Sequence, residues 1–249
     1  MQSFYLTDTG KVRSHNEDSV IILANEEGDY LMALADGMGG HRAGEIASSI
    51  ATSYLSKHFK ETFHNMSKED AIKWLREAVK KISTLIFKYV DDHENSKGMG
   101  TTLVVAINTK NYVLFGNIGD SSGYVMKNNQ LHKITYDHTL VNFLVASGKI
   151  TEEEAKDYPR KNILMKALGA NDPIDIDIFD CDTQIEEILL ASDGLTNMLN
   201  DEQIQKVLLS DLTVEEKVIR LVRKANNRGG LDNISVAYLI RAKEGRKEW

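Results

Sequence analysis

The 249-residue chain carries 30 lysines and arginines against 37 aspartates and glutamates, a formal net charge of −7. With no block of basic residues it has no electrostatic footprint for nucleic acid or an anionic membrane, so any phosphate chemistry must run through bound metal and a few placed cations. Its single cysteine, Cys181, excludes an internal disulfide and any CxxC or His/Cys zinc pattern, and fits a reducing compartment.

Phe4 to Asp8 reads as a short edge strand, followed by a turn at Thr9-Gly10 and the charged stretch from Lys11 to Asp18. Alone, that stretch is a solvated loop. Its position just before the strand Ser19 to Leu23 sets Glu17 and Asp18 at a strand start. Tyr30 to Ala35 is too continuous an apolar run for a half-exposed strand, and it stops at Asp36, ahead of Gly37, Gly39 and Gly40.

The period then changes. Ala43, Ala47, Ile50, Tyr54 and Leu55 recur at helical spacing, which predicts a helix from His41 to about Phe63. A second opens at the capping pattern Ser67 to Asp70 and continues through Ile72, Leu75, Val79, Ile82, Ile86 and Tyr89. Two consecutive amphipathic helices are expected to cover one sheet face. After Gly98 to Thr102 come short strands at Leu103–Ile107, Tyr112–Ile118, Gly123–Met126 and Leu131–Ile134, joined by short polar turns that predict antiparallel pairing.

Asp137 to Gly169 interrupts the strands with two short helical pieces, the second opened by Thr151 to Glu154, and reads as a helical flap inserted at about 142–168. Strands at Ile174–Phe179 and Ile185–Ala191 follow, then helices at Asp201–Leu209 and Thr213–Asn226, and a last strand at Ile234–Ile240. Only Pro159 and Pro173 occur as prolines and no flexible linker divides the chain, so one domain over 1–242 is expected, with a charged, frayed tail at 243–249. The N-terminus shows neither a basic n-region nor an apolar h-region, and no apolar run approaches membrane-spanning length; a cytoplasmic protein is expected.

Six carboxylates mark strand ends: Asp36, Asp120 and Asp193 after apolar runs, Glu17, Asp18 and Asp232 before them. An ionised carboxylate at the end of a buried strand is costly unless something positive compensates it. If those ends meet at one edge of a sheet stack, they form an oxygen-rich cluster suited to hard divalent cations, with Gly37 letting a backbone carbonyl come close. A dinucleotide loop at Gly37 to Gly40 is disfavoured, because Arg42 stands where a third glycine belongs and the strands predict antiparallel pairing. One Asp-Gly pair could be a turn; Asp36 and Asp193 together with Asp120 and Asp232 are hard to explain that way.

The ordered series Arg13…Glu17-Asp18, Ala35 to Gly44, Gly98 to Thr102, Gly119-Asp120-Ser121, Asp137 to Val141, Ser192 to Thr196 and Asp232 to Ser235 resembles the bacterial branch of the metal-dependent protein phosphatases (PPM, the type 2C serine/threonine phosphatases). The motifs span nearly the whole chain. The resemblance implies an α+β fold, an αββα sandwich of two antiparallel β-sheets flanked by pairs of helices. At one edge it implies two catalytic Mn²⁺ or Mg²⁺ ions and a third, weaker one. Carried over by position, Asp36 bridges the two metals, Asp193 and Asp232 complete the first site, the Gly37 carbonyl serves the second, and Asp120 with Asp193 serves the third. Glu17, Asp18 and Asn233 would act in the outer shell and Arg13 would bind substrate phosphate.

The implied activity is hydrolysis of phosphoserine and phosphothreonine in proteins by direct attack of a hydroxide bridging the two metals, counteracting a bacterial Ser/Thr kinase, in a monomer. Where eukaryotic members have a histidine after the Asp-Gly pair this chain has Met38; His41 and His138 read as structural, and a water on the third metal is the expected proton donor. Ser122 stands where the family usually has arginine, and Tyr158 where relatives commonly have histidine before Pro159. Two other readings are a catalytically silent phosphoprotein-binding module, which would be marked by loss of Asp36, Asp193 or Asp232, and a metal-dependent hydrolase of small phosphate esters.

Overall fold

In the computed structural model, which describes residues 1–39, 43–159, 163–170 and 173–241, period-two alternation governs the first strands. Strand β1 (Gln2–Asp8) alternates exposed and half-buried side chains, β2 (Asp18–Ala24) alternates at its start between buried and half-buried ones, and β3 (Tyr30–Met38) is buried almost throughout, as its unbroken apolar run predicts. Helices α1 (Ala43–Thr62) and α2 (Lys68–Asp92) follow. The Ser67 hydroxyl caps α2 by accepting from the Asp70 N–H at 3.1 Å.

A 3-10 turn at Glu94–Ser96 leads into β4 (Gly100–Thr101), β5 (Leu103–Asn108), β6 (Val113–Ile118), β7 (Ser122–Lys127) and β8 (Gln130–Lys133). Helices α3 (Leu140–Ala146) and α4 (Glu152–Lys156) form the inserted flap, each opened by a threonine cap, Thr139 and Thr151. Its return is pinned to the body by bridges Thr139↔Leu164 and Thr101↔Leu168. The chain ends in β9 (Asp177–Cys181), β10 (Glu187–Ala191), the one-turn α5 (Asp193–Thr196), α6 (Asp201–Leu208), α7 (Val214–Asn227) and β11 (Ile234–Ile240).

Two antiparallel sheets result, one ordered β1-β11-β10-β7-β8, the other β2-β3-β5-β6-β9 with β4 paired to β3. Three apolar layers hold them. Leu31, Ala33, Leu103 and Leu114 pack under Leu55, Phe59, Leu75 and Ile82 of α1 and α2. Leu189, Val236 and Tyr238 pack under Val207, Val218 and Leu221 of α6 and α7. Between the sheets, Met32, Leu34, Val104 and Phe115 meet Ile188, Leu190, Ala237 and Leu239. This is the expected αββα sandwich, and burying each of these larger aliphatic and aromatic side chains contributes about 1.5–3 kcal/mol.

Three local differences have physical causes. The strand predicted from Ile174 begins only at Asp177, since its ladder with β6 runs from Asn117↔Asp177 to Val113↔Cys181; Ile174 and Ile176 are buried under the helices instead. Gly116 permits that packing, because a Cβ there would come within 2.6 Å of Ile176 Cδ1. Helix α5 is too short to show periodicity. The segment 119–121 is no hairpin: it carries the chain from β6 in one sheet to β7 in the other. The 243–249 tail lies outside the described residues.

Candidate metal centre

Alternation along the strands decides where the carboxylates go. On β3, Leu31, Ala33 and Ala35 face the helices while Met32 and Leu34 enter the inter-sheet layer, so the next inter-sheet position is Asp36. On β2 the same step from Val20 reaches Asp18, which pairs directly across from Asp36. On β10, β11 and β5 it reaches Ser192, Ser235 and Thr102. The apolar layer between the sheets thus ends in a polar edge.

At that edge lies a pocket of about 210 Å³ lined by Arg13, Glu17, Asp36, Gly37, Asp120, Asp193, Asp232 and Asn233, eight of the nine residues singled out by the sequence. The ninth, Asp18, is buried at 9% exposure rather than lining it. Thr102, Met38, Gly39 and Leu164 complete the lining. His41 and Gly40 lie outside the described residues.

Each acidic group is held by backbone geometry. The Asp36 N–H donates to Thr102 Oγ1 at 3.0 Å, while its carbonyl accepts from the Thr102 N–H at 2.9 Å and Thr101 Oγ1 at 3.0 Å. The Gly37 N–H donates to the Glu17 carbonyl at 3.1 Å, and a Cβ at 37 would stand 2.2 Å from the Gly44 carbonyl oxygen, so glycine alone lets β3 run against α1. Asn233 ties three segments together: Oδ1 accepts from the Glu17 N–H at 2.8 Å, and Nδ2 donates to the Thr9 and His15 carbonyls at 2.9 Å each.

Asp193 opens α5, and its Oδ2 accepts from Asn197 Nδ2 at 3.1 Å. Arg13 Nη2 donates to Asp232 Oδ2 at 2.7 Å. Asp120 sits at the crossing between sheets, beside Gly119 at φ +106°. His138 braces that crossing: Nδ1 accepts from the Gly119 N–H at 3.0 Å, and Nε2 lies 2.9 Å from Asp177 Oδ2. With Nδ1 accepting, the ring proton belongs on Nε2, so His138 is a strut.

Thr102, Asn197 and the His138–Asp177 brace were not singled out by sequence reasoning, although Thr102 and His138 lie inside quoted motifs. Ser122, at the position where arginine is usual, is buried beside Asp137, whose Oδ2 accepts from Lys133 Nζ at 2.6 Å. Tyr158 follows α4 in the flap, its N–H donating to the Ala155 carbonyl at 3.3 Å.

Crowding of like charge dominates the electrostatics. Burial first, then neighbouring carboxylates, pushes Asp120 up to about 7 and Asp193 up to about 6, and holds Asp36 well above the usual carboxylate range. Burial likewise pushes Asp18 up to about 7; the Ser192 and Ser235 hydroxyls offset this only in part, being bonded to the Asn233 carbonyl and the Thr7 hydroxyl. Both Asp18 oxygens, Glu17 Oε1 and Asp193 Oδ1 are buried without a hydrogen-bond partner. Among the described residues, Arg13 is the one cation lining the pocket, and it is bonded to Asp232.

Among the described residues, no set of three or more His, Cys, Asp or Glu side chains is gathered tightly enough to grip an ion as it stands. The donor chemistry is nonetheless that of a hard cation site, being carboxylates with unpartnered oxygens and a glycine carbonyl and, among the described residues, no thiol or imidazole, which fits Mg²⁺ or Mn²⁺.

The model of the protein phosphatase 2C family matches residues 10–232. The serine/threonine phosphatase stp of Listeria welshimeri is 41% identical over 242 residues, 97% of this chain and 96% of that protein. Among solved structures, the S. agalactiae serine/threonine phosphatase superposes with a TM-score of 0.90 at 36% identity, covering 96% of this chain and 99% of its own. The catalytic domain of the serine/threonine protein phosphatase PstP, solved in complex with two manganese ions, superposes with a TM-score of 0.82 at 35% identity over 95% of this chain and 96% of its own. The order of motifs, the sandwich that gathers them and these likenesses agree, and the chain belongs to the protein phosphatase 2C family of metal-dependent serine/threonine phosphatases.

Proposed function

We propose that this chain removes phosphate from phosphoserine and phosphothreonine in proteins, using two divalent cations and a third, weaker one, and that it counteracts a bacterial Ser/Thr kinase. The observation that carries this is one pocket lined by five carboxylates, Glu17, Asp36, Asp120, Asp193 and Asp232, together with Gly37 and Arg13. Divalent cations, when bound there, acidify water and offset charge on the phosphoryl oxygens. Asp36, Asp193, Asp232 and the Gly37 carbonyl would hold the two catalytic ions, and Asp120 with Asp193 would hold the third.

Glu17, Asp18 and Asn233 set the polar surround that fixes those ligands. Asp232 would be shared between the cation and Arg13, to which its Oδ2 is bonded, and that bond holds the guanidinium at the pocket where a substrate phosphate would lie. Arg13 then stabilises charge on the transferring group. Protonation of the leaving serine or threonine oxygen is assigned to the Asp120 side of the pocket. The working form is taken as a cytoplasmic monomer, one domain over 1–242.

Phosphate release from a phosphothreonine peptide, followed with Mn²⁺, with chelator and with Asp193→Ala, tests the reading. Release that needs metal and is lost in the variant is the expected result. Folded protein that releases nothing with any divalent metal would instead be a phosphoprotein-binding module.

A further inference from the structure

Ten large hydrophobic side chains are exposed among the described residues, and four of them adjoin residues that line the metal pocket. Val12 (64% exposed) precedes Arg13 and Leu231 (57%) precedes Asp232, while Ile163 (40%) and Met165 (45%) flank Leu164. The first pair rises from two loops locked together. The Gly230 carbonyl accepts from the Lys11 N–H at 2.8 Å and the Val12 N–H at 3.2 Å. A Cβ at Gly10 would lie 2.2 Å from the Asp232 carbonyl oxygen, and one at Gly230 would lie 2.9 Å from the Lys11 nitrogen. Neither loop can be moved apart cheaply, so the apolar pair stands on a rigid base.

We propose that Val12 and Leu231 form an apolar subsite beside the pocket that selects aliphatic residues next to the phosphorylated residue of an extended substrate chain. The inference rests on the phosphatase reading, and its geometry follows from it. A phosphothreonine side chain that reaches Arg13 and Asp232 draws its own backbone across the pocket mouth. Neighbouring residues, about 3.3 Å apart along an extended chain, must then pass over the residues that border Arg13 and Asp232. Val12 and Leu231 are both aliphatic, so burial there favours aliphatic over polar neighbours.

The test uses the Mn²⁺-loaded full chain and two phosphothreonine peptides that differ only in carrying Val and Leu or Ser beside the phosphorylated residue, with p-nitrophenyl phosphate, too small to reach the subsite, in parallel. The expected result is a preference for the aliphatic peptide of about tenfold in kcat/KM, carried by KM. Val12→Ser with Leu231→Ser should abolish the preference, Val12→Ile with Leu231→Met should keep it, and Ile219→Ser, on the outer face of α7, should leave it as it was. Equal rates on the two peptides, or a preference that survives the double serine variant, overturns the subsite while p-nitrophenyl phosphate turnover leaves the phosphatase reading standing. Release from neither peptide nor p-nitrophenyl phosphate overturns the phosphatase reading, and the subsite with it.

Discussion

Asp18 and Asp36 face each other across β2 and β3, a like-charge pairing that destabilises a sheet. A divalent cation held by Asp36 would offset that repulsion. Asp120 differs from both, because it comes from the crossing between the sheets and reaches the pocket beside Asp193. If its task is to serve the leaving oxygen, Asp120→Ala should cut turnover of a phosphothreonine peptide about 100-fold and turnover of an activated aryl phosphate only a few-fold, since a good leaving group needs no proton. Parallel kinetics on the two substrates decide this, and equal losses would sink that role.

At the scale of elements, side-chain N-caps open α2, α3, α4, α6 and α7, and those at Ser67, Thr151 and Thr213 were readable because a cap is local. Thr213 opens α7 with a reciprocal pair of bonds: its hydroxyl accepts from the Glu216 N–H at 3.2 Å, and its own N–H donates to Glu216 Oε2 at 2.9 Å. Helix α7 covers the outer face of the first sheet, and Thr213, at its N-terminal end, is not among the residues lining the pocket. Thr213→Ala should therefore lower stability by about 1 kcal/mol in urea denaturation while leaving phosphate release per folded molecule unchanged. The flap is likewise opened by threonine caps, but its place over the pocket depends on Leu164, which lines the pocket and bridges back to Thr139.

For the whole molecule, the buried cluster links stability to pH. Asp193 is pushed up to about 6 and Asp18 and Asp120 up to about 7, whereas unfolded carboxyls titrate near 4. The folded state therefore binds more protons than the unfolded state between these values, and metal-free stability falls as pH rises from about 4 to about 7. The groups titrate as a set, so the fall is gradual. In chelator, the urea midpoint should be higher at pH 5.5 than at pH 7.5, and Mn²⁺ should raise the pH 7.5 value most, by binding the folded state alone. A chelated midpoint that climbs over that interval would contradict the account.

The sequence by itself determined the alternation of strands and helices, the caps, and the placing of acidic residues at strand ends, because periodicity, capping and turn chemistry are set by neighbours within a few residues. It also carried the family's motifs in order, which is why the sandwich and eight of the pocket's residues were legible before any coordinates. Tertiary structure alone decided that Asp18 stands opposite Asp36, that Ile174 and Ile176 leave the ladder, that His138 braces Gly119, and that the loop carrying Val12 is bonded to the loop carrying Leu231 through the Gly230 carbonyl. Each of these joins residues far apart in the chain or turns on burial between layers, and no local pattern encodes which distant surface a side chain will meet.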